Sequence, residues 1–271
     1  MDAWVVGPAI TIEDLRYGPS VNQEEKKLKQ PDQFVTATEH GIQWASQNRQ
    51  SAIIAGATVI ALILIIVGGY TFYQHRSTTA ATAYGEAMET YDTPVQTPGQ
   101  PVPPGTKTFN TALERANAAN KQFVAVANQY GLTAPGKMAE YFAGLTYMDA
   151  GNNQSAEDAL KKTASSWNSD LSALGKMALA QLYQQTGRDS QAADLYNELA
   201  KANASTVPMG VAKLQLAAMY EAEGKTDQAR KVYAELKDKD KDAKGQPGPA
   251  AEIAGEKLNP HAAGPAVPGM Q

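Results

Sequence analysis

The sequence contains no cysteine in its 271 residues. That excludes disulfides, thiolate nucleophiles, Cys-ligated zinc, iron–sulfur clusters and lipid attachment through an N-terminal Cys. Histidine is nearly as scarce, with His40, His75 and His261 the three in the chain. Positive charge is not in excess: the net charge is −4, which argues against nucleic-acid binding by bulk electrostatics. Hydrophobic residues make up 43%, enough to exclude a fully disordered chain.

The mean hydropathy of −0.39 conceals one extreme stretch. Residues 52–73 read AIIAGATVIALILIIVGGYTFY, 22 positions without a charge. At about 1.5 Å per residue such a helix reaches about 33 Å, enough for a hydrocarbon core of about 30 Å. Soluble core helices seldom run this long without a polar face. The run begins too late and is too long for a cleavable signal, so it reads as a permanent signal anchor. Tyr70, Phe72 and Tyr73 stand at one end, where rings favour the headgroup layer, and Trp44 precedes the other. Arg49 and Arg76 bracket the span and cancel as topology signals. Lys26, Lys27 and Lys29 precede it, and no Lys or Arg lies between Arg76 and Lys107. That asymmetry places residues 1–51 in the cytoplasm. Ala52/Gly56 and Ala57/Ala61 have the spacing of a small-residue helix contact, and also that of ordinary membrane helices.

The flanks are less regular. Gly7-Pro8 and Gly18-Pro19 break the first thirty residues, and EEKKLK follows them. A helix opening at Pro31-Asp32 through Phe34, Val35, Ile42 and Trp44 reads equally as an interfacial helix or as an extension of the span. Tyr84, Met88 and Tyr91 give residues 77–91 a helical spacing. Five prolines between Thr93 and Gly105 then forbid helix and favour an extended insertion. Residues 241–271, rich in Pro, Gly and Ala without periodicity, read as a disordered tail.

Between 106 and 237 the chain repeats. Gly151, Gly187 and Gly224 recur at steps of 36 and 37, and other columns keep the same steps. Tyr147, Tyr183 and Tyr220 precede the glycines, and Ala156, Ala192 and Ala229 follow them. Leu160, Tyr196 and Tyr233 come next, and Leu199 and Leu236 match in two copies. The glycine suits a helix C′ position, where left-handed backbone costs other residues more. Asn153, Asp189 and Thr226 are expected N-caps of a second helix. The Ala column marks a close helix crossing, which the aromatic and Leu columns fill. Pro135 and Pro208 mark helix starts between copies. A weaker upstream copy places Ala119 and Phe123 in a helix at about 106–130, paired with 77–91.

This pattern resembles the tetratricopeptide repeat (TPR), a helix–turn–helix unit of about 34 residues. The small residues Gly144, Ala180 and Ala217 before each Tyr also fit. The Trp of the TPR signature is missing and the period is longer. The resemblance implies an all-α fold: a single transmembrane helix followed by a TPR-like α-solenoid of three to four helix pairs, over residues 77–240. The layout, with FVTATEHGIQWASQNRQ before the span and AATAYGEAM after it, resembles the YfgM-like family. That resemblance implies a single-pass bacterial inner-membrane protein, N-terminus cytoplasmic and repeats periplasmic. It further implies an ancillary subunit of the SecYEG translocon, with that channel, periplasmic chaperones such as PpiD or unfolded chains as partners. The Pro-rich insertion and the long tail depart from the family pattern.

No enzyme constellation stands beside these features. All three histidines fall outside the repeats, so a Ser/His/Asp triad or a His-based metal site is excluded there by counting. No GxxxxGK[ST] loop occurs. Glu157, Asp158, Asp189 and Asp194 fall on helical faces that read as solvated. The chain is therefore expected to be no enzyme, with no cofactor and no metal. In the TPR frame the first helices line a groove. Its lining would be Tyr141, Leu145 and Met148, then Met177, Gln181 and Gln184, then Leu214, Ala218 and Glu221. The same residues also suit packing between helices. As a groove they lack the Lys/Arg set that clamps a carboxylate, and they favour apolar or extended segments. Two binding functions follow, an export adaptor or a scaffold for envelope assembly or division. A membrane enzyme with a hidden site is the third reading.

Overall fold

The computed structural model describes residues 47–97, 99, 105–202, 204–241 and 244–259. The expectations for residues 1–46, with Trp44 and His40, and for 260–271, with His261, lie outside these. Among the described residues there are nine α-helices and two isolated β-bridges. The all-α expectation is met. The chain divides into two compact units, 1–69 and 70–271, each taken by itself.

Helix α1 runs over Arg49–Asp92 without a break. A span ending at 73 and a separate helix from 77 are not two elements here: no Pro or positive-φ Gly interrupts the junction, so the turns simply continue. Thr58, Thr78, Thr79, Thr82 and Thr90 donate their hydroxyls to carbonyls four residues earlier, which satisfies these donors within the helix itself. The helix is long and apolar enough to cross a membrane, and none of its most apolar stretch is buried. Ile54, Leu64 and Ile66 are each about two-thirds exposed, at 66, 67 and 68%. A core helix of a soluble protein would instead be covered.

In the second unit the helices that follow are α2 (Ala112–Tyr130), α3 (Ala134–Asp149), α4 (Asn153–Ala164) and α5 (Ser169–Gln185). They are succeeded by α6 (Asp189–Leu199), α7 (Met209–Ala222), α8 (Thr226–Lys239) and α9 (Pro249–Leu258). From α2 onward each helix packs on the next, α3 also meets α5, and α9 meets α7. Where the Pro-rich insertion leaves α1, Pro94–Gln96 runs beside Phe109 through two backbone hydrogen bonds, of 2.8 and 3.0 Å.

The glycine columns explain the turns. Gly151, Gly187 and Gly224 have φ of +73, +70 and +73°. Each donates to the carbonyl three residues back, and the next residue donates to Tyr147, Tyr183 or Tyr220. These are three Schellman turns, cheap only with Gly at C′. The expected N-caps need correction. Asn153, Asp189 and Thr226 are the first helical residues, and the caps are Asn152, Arg188 and Lys225. Only Asn152 caps with its side chain, to the Ser155 N–H at 3.3 Å. The Schellman turn leaves one residue, not two, between Gly and helix. Asp189 then sits in the first turn, where its charge still favours the dipole.

Ala156, Ala192, Ala229, Leu160, Tyr196, Tyr233, Leu199 and Leu236 are all buried, as are Ala119 and Phe123 upstream. The expected disordered tail is corrected over Pro249–Leu258. Asp240 accepts from the Ala251 N–H at 2.9 Å, and Pro249 occupies the first turn. Ala250, Ala251 and Ala254 are buried, Ala250 and Ala254 against Ala217, Tyr233 and Leu236. Small residues let α9 approach closely, and low complexity in sequence hides that purpose.

Candidate protein-binding surface

The residues expected to line a groove divide into three groups. Tyr141, Leu145, Met148 and Met177 are half-buried and pack on the central core cluster of α4 to α7. The Tyr141 ring meets Phe142 edge-on at 5.3 Å, and burial raises its hydroxyl pKa. Gln181 is half-buried, and Ala218 is exposed. Gln184, Leu214 and Glu221 have internal tasks. Gln184 accepts from the buried Tyr196 hydroxyl at 2.6 Å. Leu214 packs on the α7–α9 cluster, and Glu221 pairs with Lys257 of α9 at 3.0 Å. Burial pushes the Tyr196 and Tyr233 hydroxyls up to about 12, and Glu221 adds to the rise at Tyr233 by its negative charge and by accepting a hydrogen bond from the hydroxyl. The apolar part of the surface thus belongs to α3 and α5, and α9 has taken up the last copy.

Charge gathers instead on Glu157. Its carboxylate meets Lys161 at 2.8 Å and Arg188 at 2.7 Å, and accepts from the Tyr183 hydroxyl at 3.2 Å. Arg188 lies over the Tyr183 ring at 4.2 Å. The Lys161 hydrogen bond, then that of Arg188, holds the Glu157 carboxyl below its ordinary 4.5. This joins α4 and α5 to the cap of α6, so Glu157 and Arg188 are structural. The expectation of a solvated face fails for Glu157, whose side chain is only 13% exposed. Replacing Glu157 by Gln should cost about 1.5 kcal/mol, since the guanidinium loses a charged acceptor. Because the folded pKa is depressed, the contribution is complete above pH 4.5 and fades as the pH falls through the lowered value. Urea midpoints of both proteins at neutral pH and at pH about 3 measure this, and the gap should narrow in acid.

Among the described residues no group of three or more His, Asp or Glu stands close enough to hold a metal ion. His75 is exposed on α1. Comparisons with family models, curated proteins and solved structures find no match. The arrangement offers an apolar, Met-bearing surface on α3 and α5.

Two residues missed in the sequence stand out on the surface. Trp167 is fully exposed, and Leu132 is 88% exposed. The signal for Trp167 was a lone ring in the Ser/Asn-rich stretch 165–169, between two periodic segments. Leu132 had only the breaker Gly131 before it.

Proposed function

We propose that the chain is a membrane-anchored adaptor that binds protein partners through TPR-like helix pairs. The observation that carries this reading is α1. One helix bears an exposed, charge-free apolar run and, further along, Ala80 and Ala87 of a folded helical unit. An exposed run of that length finds its complement in a bilayer. The Schellman glycines at steps of 36 and 37 support a solenoid of three to four helix pairs. Loop charges support an N-terminus in the cytoplasm and repeats in the periplasm of a bacterial inner membrane. Within that reading the YfgM-like resemblance suggests the site of action, beside the SecYEG channel, with a chaperone such as PpiD or an emerging chain on the α3–α5 surface. Anchoring raises local concentration, so weak apolar contacts suffice.

Photocrosslinkers at Tyr141, Met177 and Ala218 in intact cells test the proposal. Adducts with translocon subunits or periplasmic chaperones are expected. Adducts confined to division or envelope-assembly proteins would replace the export role by the scaffold.

A further inference from the structure

Leu132 and Trp167 expose apolar side chains from turns that are otherwise tightly made. In the α2–α3 turn, the Thr133 hydroxyl donates to the Tyr130 carbonyl at 2.8 Å and accepts from the Gly136 N–H at 3.2 Å. Thr133 is buried, while its neighbour Leu132 points outward. In the α4–α5 turn, Asn168 caps α5 through the Leu171 N–H at 2.9 Å, and Trp167 beside it covers nothing. Neither turn needs a large apolar residue, so fold stability does not account for either.

Their position does. Phe72, Tyr73 and Arg76 share an open cleft of about 460 Å³ with Leu132. The Arg76 guanidinium donates to the Gln129 carbonyl and lies 5.4 Å from the Tyr130 ring centre, fixing that end of α2 to these residues. A second cleft of about 260 Å³ is lined by Gly131, Lys137 and Trp167, with the Glu140–Lys162 ion pair also in its wall. Leu132, Trp167, Phe72 and Tyr73 therefore stand along one end of the second unit. Phe72 and Tyr73 are also the last residues of the apolar run. If that run crosses the bilayer, its final rings lie at headgroup level, and the two turns lie at that level with them.

We infer that the α2–α3 and α4–α5 turns form a membrane-docking edge. Leu132 and Trp167 enter the headgroup layer, while Arg76 and Lys137 meet lipid phosphates. The inference rests on the anchor reading and extends it. The occupant is a lipid surface because Leu132 shares its cleft with Phe72 and Tyr73, the last rings of the apolar run, and because Arg76 beside Leu132 and Lys137 beside Trp167 suit an anionic interface. Docking would hold the helix pairs at a set tilt to the membrane rather than on a free stalk.

The test uses the full chain with Trp4→Phe and Trp44→Phe, which leaves Trp167 as the one fluorophore of its kind. It is reconstituted into phosphatidylcholine–phosphatidylglycerol vesicles, with and without lipids brominated high on the acyl chain. Flotation with the vesicles, a shift of Trp167 emission to shorter wavelength, and its loss with brominated lipid are expected. Leu132→Glu should weaken that loss without altering flotation. Flotation with unshifted, unquenched emission would overturn the docking edge and leave the anchor standing, with the patch turned to water or to a protein. Failure to float would remove the anchor itself, and the docking edge with it.

Discussion

Phe123→Ala should cost the folded unit about 4 kcal/mol, the middle of the range for deleting a buried aromatic ring. Phe123 has no exposure at all. Its ring stacks on Phe142 at 5.2 Å and meets Tyr84 and Tyr91 of α1 at 5.9 and 6.2 Å. Removing it empties the centre of a four-ring cluster whose members come from α1, α2 and α3, and backbone on three sides cannot close the space. For a unit of this size the melting temperature should fall by about 12 °C. Leu113→Ala on the same helix, where the side chain is 52% exposed, should change it by no more than about 2 °C. Thermal unfolding followed by circular dichroism in detergent micelles compares the two. Equal effects would show that the upstream helices do not share a core.

Gly175 lies in α5 where it crosses α4. A methyl group there would stand 2.5 Å from the Ala164 nitrogen and 2.8 Å from the Thr163 carbonyl carbon. Both are backbone atoms, so no rotamer change relieves the clash, and α4 must move away. Gly175→Ala should therefore destabilise by about 3 kcal/mol, despite the better helix propensity of Ala. Gly85, in α1, has open space around its would-be Cβ. Gly85→Ala should stabilise by about 0.7 kcal/mol through propensity alone. Denaturant titration of the pair reads both signs, and a neutral Gly175→Ala would contradict the close α4–α5 crossing.

Much of the fold was legible because the repeat columns are tied to backbone geometry. A positive-φ Gly can be replaced by few residues, and a close crossing admits only Ala or Gly. Gly151, Ala156 and Gly144 are therefore visible in the letters before any contact is known; a methyl on Gly144 would stand 2.6 Å from Leu160. Cap positions were less legible, since Asn152 and Asn153 are equally good caps in isolation and the Schellman turn decides between them. Helix α9 was hidden because its buried face is all alanine, which composition reads as low complexity. The binding surface was legible only in part. Tyr141, Leu145, Met148 and Met177, placed in the groove by the TPR frame, all pack on the central core cluster. Gln184 and Glu221 were claimed by Tyr196 and Lys257, partners far enough along the chain that spacing could not reveal them. Leu132 and Trp167 break no pattern in the letters; only their exposure marks them.

The absence of cysteine makes one measurement especially direct. Single cysteines at Ser20 and at the exposed Lys201 can be probed with a membrane-impermeant maleimide in cells whose outer membrane has been permeabilised. Labelling of Lys201→Cys in intact spheroplasts, with Ser20→Cys labelled only after lysis, is the outcome that a single bilayer-crossing stem with a cytoplasmic N-terminus requires. Labelling of both positions only after lysis, or of Ser20→Cys alone beforehand, would contradict it.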